Sequence, residues 1–173
     1  MPGPAHVLID SGDVAPVPWR NGLGRTRELL VGPGWRLSLA DLAAPGPFSS
    51  FPDSDRVHLP LEGGYALVVG GHPIQARALQ PVGFPGEAPV VLQDLERPTS
   101  ALNLITDRSI CSGTLLVARH EGTVTWPAYV RAVVLLDRPT PLVAVAGDEP
   151  LTLHLTGGPV AEVHIPEPKE HQS

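Results

Sequence analysis

Thr99-Ser-Ala-Leu-Asn-Leu-Ile-Thr-Asp-Arg-Ser-Ile-Cys-Ser112 is the longest stretch of this 173-residue chain that contains neither proline nor glycine, and it is only 14 residues long. Everywhere else 21 prolines and 18 glycines break the sequence at short intervals. An interior proline costs a helix about 3 kcal/mol and a glycine about 1 kcal/mol, so helices of ordinary length have almost nowhere to form. Within the stretch, Ala101–Thr106 is rich in leucine and β-branched residues and predicts a strand. The pattern recurs on both sides. Upstream it covers Thr26–Val31, Trp35–Asp41, Arg56–Leu61, Tyr65–Val69 and Val90–Gln93. Downstream it covers Thr114–Ala118, Ala132–Leu136, Leu142–Ala146, Leu151–Leu155 and Ala161–Ile165. Many short strands punctuated by turn signals describe an antiparallel sandwich or barrel, so the fold class is all-β.

The glycine pairs Gly63-Gly64, Gly70-Gly71 and Gly157-Gly158 fall between predicted strands, where hairpin turns exploit glycine's access to positive φ. His58-Leu-Pro-Leu-Glu-Gly-Gly and His154-Leu-Thr-Gly-Gly echo one another, which suits two related β-modules in one body. One domain over residues 1–165 is expected, with the polar, proline-bearing segment 166–173 as a flexible tail.

Composition narrows the function classes. The apolar fraction of 42% and the charged fraction of 17% exclude a highly charged disordered chain. The net charge is −6, and eleven arginines and one lysine form no basic block, so nucleic acid is not an expected partner. Cys111 is the single cysteine, which excludes an intramolecular disulfide and a thiolate metal cluster. Met1-Pro-Gly-Pro-Ala-His lacks the basic start and apolar run of a signal peptide, and no apolar stretch approaches membrane-spanning length. The expectation is a cytoplasmic protein with no membrane partner.

Several segments carry chemistry. Val17-Pro-Trp-Arg-Asn-Gly-Leu-Gly-Arg-Thr-Arg-Glu28 sets Trp19, Arg20 and Asn21 beside a Gly22-x-Gly24 turn and runs Thr26 and Glu28 into a strand. An indole, a guanidinium and an amide there suit a pocket for a planar anion, because the arginine fork matches a carboxylate. A plain surface turn is the competing reading. Strand alternation puts Trp35, Leu37 and Leu39 on one face and Arg36, Ser38 and Ala40 on the other, which faces either solvent or a barrel interior. Asp55-Arg56 begins a strand after the aromatic loop Phe48-Ser-Ser-Phe-Pro. Asn103 shares an otherwise apolar face with Ala101 and Ile105, either as a backbone clamp or as a pocket residue. The seven histidines form no His-x-His pair, so no metal site or cofactor is expected. Glu28 and His58 are the candidates for acid–base chemistry.

Taken in order, Pro-Trp-Arg-Asn-Gly-Leu-Gly-Arg-Thr-Arg-Glu (18–28), Trp-Arg-Leu-Ser-Leu-Ala (35–40), Gly-Pro-Phe-Ser-Ser-Phe-Pro (46–52), Asp-Arg (55–56), Phe-Pro-Gly (84–86) and Leu-Asn-Leu-Ile-Thr-Asp-Arg (102–108) resemble the HutD/Ves family. The resemblance covers roughly residues 17–110. It implies a cupin-like (RmlC-like) β-barrel or jelly roll, usually a double cupin. It also implies a link to histidine utilisation, in which the family is thought to bind a metabolite such as formylglutamate or urocanate and to limit flux. Carried over by position, it points to Trp19, Arg20, Asn21, Thr26, Glu28, Arg36, Ser38, Arg56, Asn103 and Thr106 as pocket residues. Two positions depart from the family pattern, with Arg20 where lysine is usual and Leu23 where a third glycine is usual. The metal-binding cupin signature is absent.

The reading this supports is metal-independent binding of a small carboxylate metabolite as a regulator of histidine utilisation, in a chain able to form a homodimer. A metal-independent isomerase or lyase, and a stress-associated interaction protein without a ligand, are the alternatives.

Overall fold

The computed structural model describes residues 6–167. In chain order its strands are β1 (Val7–Asp10), β2 (Val17–Pro18), β3 (Gly24–Gly32), β4 (Trp35–Leu42), β5 (Gly46–Pro47), β6 (Ser54–Pro60), β7 (Tyr65–Val69) and β8 (His72–Ala76). They continue as β9 (Val82–Pro85), β10 (Val90–Gln93), β11 (Thr99–Asp107), β12 (Thr114–Thr125), β13 (Val130–Leu135), β14 (Leu142–Val145) and β15 (Thr152–His164). A single 3-10 turn at Ser11–Asp13 is the only helical element among the described residues, so no helix there is long and apolar enough to cross a membrane.

These strands build three antiparallel sheets. A six-stranded sheet runs β2-β3-β4-β11-β6-β9, a four-stranded sheet β5-β10-β7-β8, and a five-stranded sheet β1-β14-β13-β15-β12. The six-stranded sheet is the middle layer. On one face Leu37, Leu39, Leu102 and Leu104 pack against Leu115, Val134, Val143 and Val163 of the five-stranded sheet. On the other, Ala40, Leu42 and Ala101 meet Tyr65, Leu67, Val90 and Leu92 of the four-stranded sheet. This explains why β4 and β11 carry almost no exposed position: both of their faces are covered. Each fully buried leucine contributes roughly 1.5–3 kcal/mol relative to exposure. A third core, with Trp126, Val133, Leu155 and Val160, lies on the far face of the five-stranded sheet.

Two glycine positions are demanded by geometry. Gly70 and Gly71, with φ of 55° and 83°, close the two-residue hairpin between the paired residues Val69 and His72, as expected. Gly32 lies against the Trp35 indole so closely that an added Cβ would stand 2.2 Å from the ring.

The other two pairs correct the expectation of hairpins. β6 and β7 belong to different sheets, so Gly63-Gly64 carries the chain from the six-stranded sheet to the four-stranded one instead of turning it back. Residues 151–165, expected as two strands, contain the single strand β15. Its register against β12 runs from Arg119↔Pro159 to Glu121↔Thr156, so Gly157-Gly158 opposes His120 alone. Glycine here makes a bulge that bends a long strand.

Five strands lay outside the expected set, namely β1, β2, β5, β8 and β9. Every one is a sheet edge, and four contain proline. A proline cannot donate to a ladder, but at an edge that costs little. Of the expected tail, residues 168–173 lie outside the described residues.

Candidate functional site

The six-stranded sheet presents three polar rows to the barrel interior. Directly paired residues project to the same side of a sheet. Register therefore sets Arg36, Ile105 and Arg56 side by side across β4, β11 and β6. One step along, Ser38, Asn103 and His58 form the next row, which Glu28 extends onto β3. Thr26 and Ala40 pair in the third. Trp19, Phe48, Ser49 and Phe51, from the loops beside β2 and β5, wall the opening and complete a cavity of about 220 Å³.

Two guanidiniums dominate this cavity. Arg56 is only 7% exposed, and among the described residues neither Arg56 nor Arg36 has a carboxylate within ion-pair distance. Arg56 stacks over the Phe48 ring at 4.8 Å, with Phe51 and Phe84 each 5.7 Å away. Arg36 lies over Phe51 at 4.8 Å. Such contacts support a cation without cancelling its charge. Burial, with Arg36 nearby, lowers the Arg56 pKa to about 10, so Arg56 stays protonated at neutral pH. Glu28, exposed on β3, is the one carboxylate among the lining residues.

Behind the wall a hydrogen-bond chain fixes Arg56. Its Nε and Nη2 donate to Asn103 Oδ1 at 3.1 and 3.0 Å, and the same oxygen lies 3.0 Å from His58 Nδ1. An amide oxygen only accepts, so His58 Nδ1 carries the proton and Nε2 accepts from the Tyr65 hydroxyl at 2.7 Å. His58 is fully buried, and burial together with the Arg56 charge lowers its pKa to about 3. Burial also raises the Tyr65 pKa. This chain is neutral and satisfied, and it holds the Asn103 oxygen towards Arg56.

Seven expected residues meet in one cavity: Trp19, Thr26, Glu28, Arg36, Ser38, Arg56 and Asn103. The open question about the Arg36/Ser38 face is answered by the barrel interior. Asn103 lines the cavity and clamps side chains, not backbone. Trp19 is held by its Nε1–H donating to Thr26 Oγ1 at 2.8 Å and by edge contact with Phe48.

Three residues lie elsewhere. Arg20 is exposed on the turn, one residue beyond the inward-facing Trp19. The Asn21 side-chain Oδ1 accepts from the Leu23 backbone N–H at 3.0 Å, so it shapes the turn. Thr106 alternates with Ile105 and is buried on the opposite face of the sheet. Among the acid–base candidates, His58 stands behind the wall as a neutral imidazole, which leaves Glu28 alone at the cavity. Phe48, Ser49, Phe51, Ala40 and Ile105 were not in the expected set. Alternation from Ser38 and Asn103 was the available signal for the last two, and the aromatic loop before Arg56 for the others. Among the described residues no three His, Cys, Asp or Glu side chains are grouped to hold a metal ion.

The HutD family model matches residues 11–154. Protein Ves of Cronobacter sakazakii is 38% identical over 113 residues, which make up 61% of this chain and 62% of that protein. An uncharacterised 21.2 kDa protein in the hutC 3′ region of Pseudomonas putida is 38% identical over 109 residues, 57% of this chain and 56% of that one. The matched part thus spans about three fifths of the length of these curated relatives. The structure of HutD from Pseudomonas fluorescens, described for a formate condition, superposes with a TM-score of 0.74 at 26% identity, covering 94% of this chain and 100% of that chain.

Proposed function

This chain belongs to the HutD family, and on that premise we propose that its barrel cavity binds a small carboxylate metabolite and reports its level to histidine utilisation. The fold is the cupin-like β-barrel that the resemblance implied. A relative lies in a histidine-utilisation gene region. The observation that carries the reading is the pair Arg36 and Arg56, two guanidiniums lining one 220 Å³ cavity without a carboxylate partner among the described residues.

A buried charge is costly unless something completes it. Asn103 occupies Nε and Nη2 of Arg56, which leaves Nη1 free, and a ligand carboxylate placed between the two arginines takes charge-assisted hydrogen bonds from both. The aromatic wall of Trp19, Phe48 and Phe51 suits a flat or short body. Glu28, acidic and opposite in sign to the arginines, accepts from an N–H. Formylglutamate offers carboxylates and an amide N–H, and urocanate offers a carboxylate and an imidazole N–H. The formate condition of the P. fluorescens structure concerns the smallest member of the same ligand class. Binding in the cytoplasm, without metal or cofactor and without turnover, is the role this reading assigns.

Isothermal calorimetry of the metal-stripped protein against formylglutamate, urocanate, formate and histidine tests it. Saturable binding of one carboxylate, weakened in Arg56→Ala by about 1.5–3 kcal/mol, is the expected result for a lost charge-assisted contact. No binding at millimolar ligand, or unchanged affinity in Arg56→Ala, refutes it.

A further inference from the structure

A cleft of about 850 Å³ lies on the opposite face of the six-stranded sheet, where β3 and β4 approach the turn between β13 and β14. The same two strands serve both cavities by alternation. Thr26, Glu28 and Ser38 face the barrel, while Arg25, Arg27 and Asp41 face the cleft.

Unpaired polar atoms mark this place. Among the described residues three buried side-chain polar atoms lack a hydrogen-bond partner: Ser11 Oγ, Arg27 Nε and Thr99 Oγ1. All three residues border the cleft. Thr99 pairs with Leu42 and by alternation turns its hydroxyl to the barrel side with Ala101 and Asn103, so Ser11 and Arg27 are the two that bear on the cleft. Ser11 is 1% exposed. Buried polar groups in folded proteins are nearly always paired, so two exceptions beside one cavity point to bonding completed from outside the chain.

Charge points the same way. Arg25 Nε, at 2.8 Å, and Arg27 Nη1 both donate to Asp41 Oδ2, and Ser100 donates to Oδ1 at 3.1 Å. Two guanidiniums therefore share one carboxylate and keep a net positive charge. Arg138, across the cleft, has no ion-pair partner among the described residues. Glu62 also lines the cleft, and Asp10 lies close enough to feel the Arg138 charge, so the lining sets three arginines against two carboxylates, a small local excess of positive charge on a chain of net charge −6. The free groups are guanidinium donors, which cannot accept, and the Ser11 hydroxyl, which can donate. A partner rich in acceptors and negative charge satisfies all of them. The volume, several times that of the barrel cavity, suits more than a single carboxylate.

We propose that this cleft is a second ligand site, for a metabolite-sized multivalent oxyanion, an organic phosphate or a polycarboxylate. The site stands apart from the barrel reading and survives if that reading fails.

Titration calorimetry at physiological ionic strength tests it, with inorganic pyrophosphate as probe and citrate as a second arm. Saturable binding is expected, weakened at least about tenfold in Arg138→Gln and in Arg27→Gln, and unchanged in Arg56→Ala, which alters only the barrel. Arg138 is exposed, so its variant keeps the test sound should Arg27→Gln fold poorly. Binding of citrate but not pyrophosphate identifies polycarboxylate as the source and supports the site. Absence of saturable binding by either probe, affinity that survives both cleft variants, or affinity lost in Arg56→Ala overturns it.

Discussion

Acidification should destabilise this protein through His58 before its carboxylates respond. His58 is fully buried with a pKa of about 3, against an unfolded value near 6.5, because burial and the Arg56 charge both oppose protonation. Between those values the unfolded chain holds a proton on this residue that the folded chain refuses, so stability rises with pH across the window and falls on acidification. The slope approaches about 1.4 kcal/mol per pH unit, and the accumulated loss between pH 7 and pH 5 is about 2 kcal/mol. Any folded-state pKa below about 4 gives nearly the same loss at pH 5. The groups with depressed carboxylate pKa values, Asp10, Asp41, Glu87, Asp107 and Glu162, lose their contribution mainly below this window. Urea unfolding of the natural chain and of His58→Gln, at pH 7, 6 and 5, isolates the term. The natural chain should lose about 2 kcal/mol more than the variant over that range. Parallel losses in the two proteins, or an NMR titration of the native His58 ring near pH 6.5, would refute the reasoning.

Three further outcomes are open to quick measurement. Tyr65→Phe removes the hydroxyl that donates to His58 Nε2 and leaves a buried acceptor unpaired, so chemical denaturation should show a loss of about 1–3 kcal/mol. Gly32→Ala drives a Cβ into the Trp35 indole, and thermal melting should fall by an amount equivalent to about 1–3 kcal/mol, with altered tryptophan fluorescence. Arg20→Ala and Thr106→Val lie outside the barrel cavity and should leave carboxylate affinity unchanged in calorimetry. A loss in Arg20→Ala would return the exposed turn to the site.

Much of this arrangement was legible because strand alternation is a strict rule. Once Arg36, Ser38 and Ala40 share a face, and Asn103 and Ile105 share another, antiparallel pairing brings them together. The same rule excludes Thr106, which the family resemblance had carried in by position alone. What the sequence left open was which face is enclosed. That depends on the four-stranded sheet, whose two edge strands are short and contain proline, and whose closure arises from contacts distant in sequence. Glycine pairs misled for a related reason. Positive φ serves a hairpin, a crossover and a bulge equally well, so Gly63-Gly64 and Gly157-Gly158 are told apart only by what they pair with. The buried chain from Arg56 through Asn103 and His58 to Tyr65 joins three strands of two sheets, and no local pattern announces it.

That chain bears on why Arg56 is present at all. Its pKa, lowered by burial to about 10, means that keeping the charged form in the fold costs about 3 kcal/mol at neutral pH. The partners that hold it are neutral, so they orient the charge without offsetting it as a carboxylate would. Stability alone therefore gives little reason for an arginine at this position. Arg56→Met relieves the cost and loses two hydrogen bonds to Asn103, whose oxygen still accepts from His58. The ligand-free variant should then unfold within about 1–2 kcal/mol of the natural chain, in either direction, while carboxylate binding disappears. Paired urea unfolding and calorimetry decide the matter. A variant that still binds removes the guanidinium from the site. One that loses more than about 3 kcal/mol of stability makes Arg56 a structural residue, because the charge would then be contributing more to the fold than its burial costs.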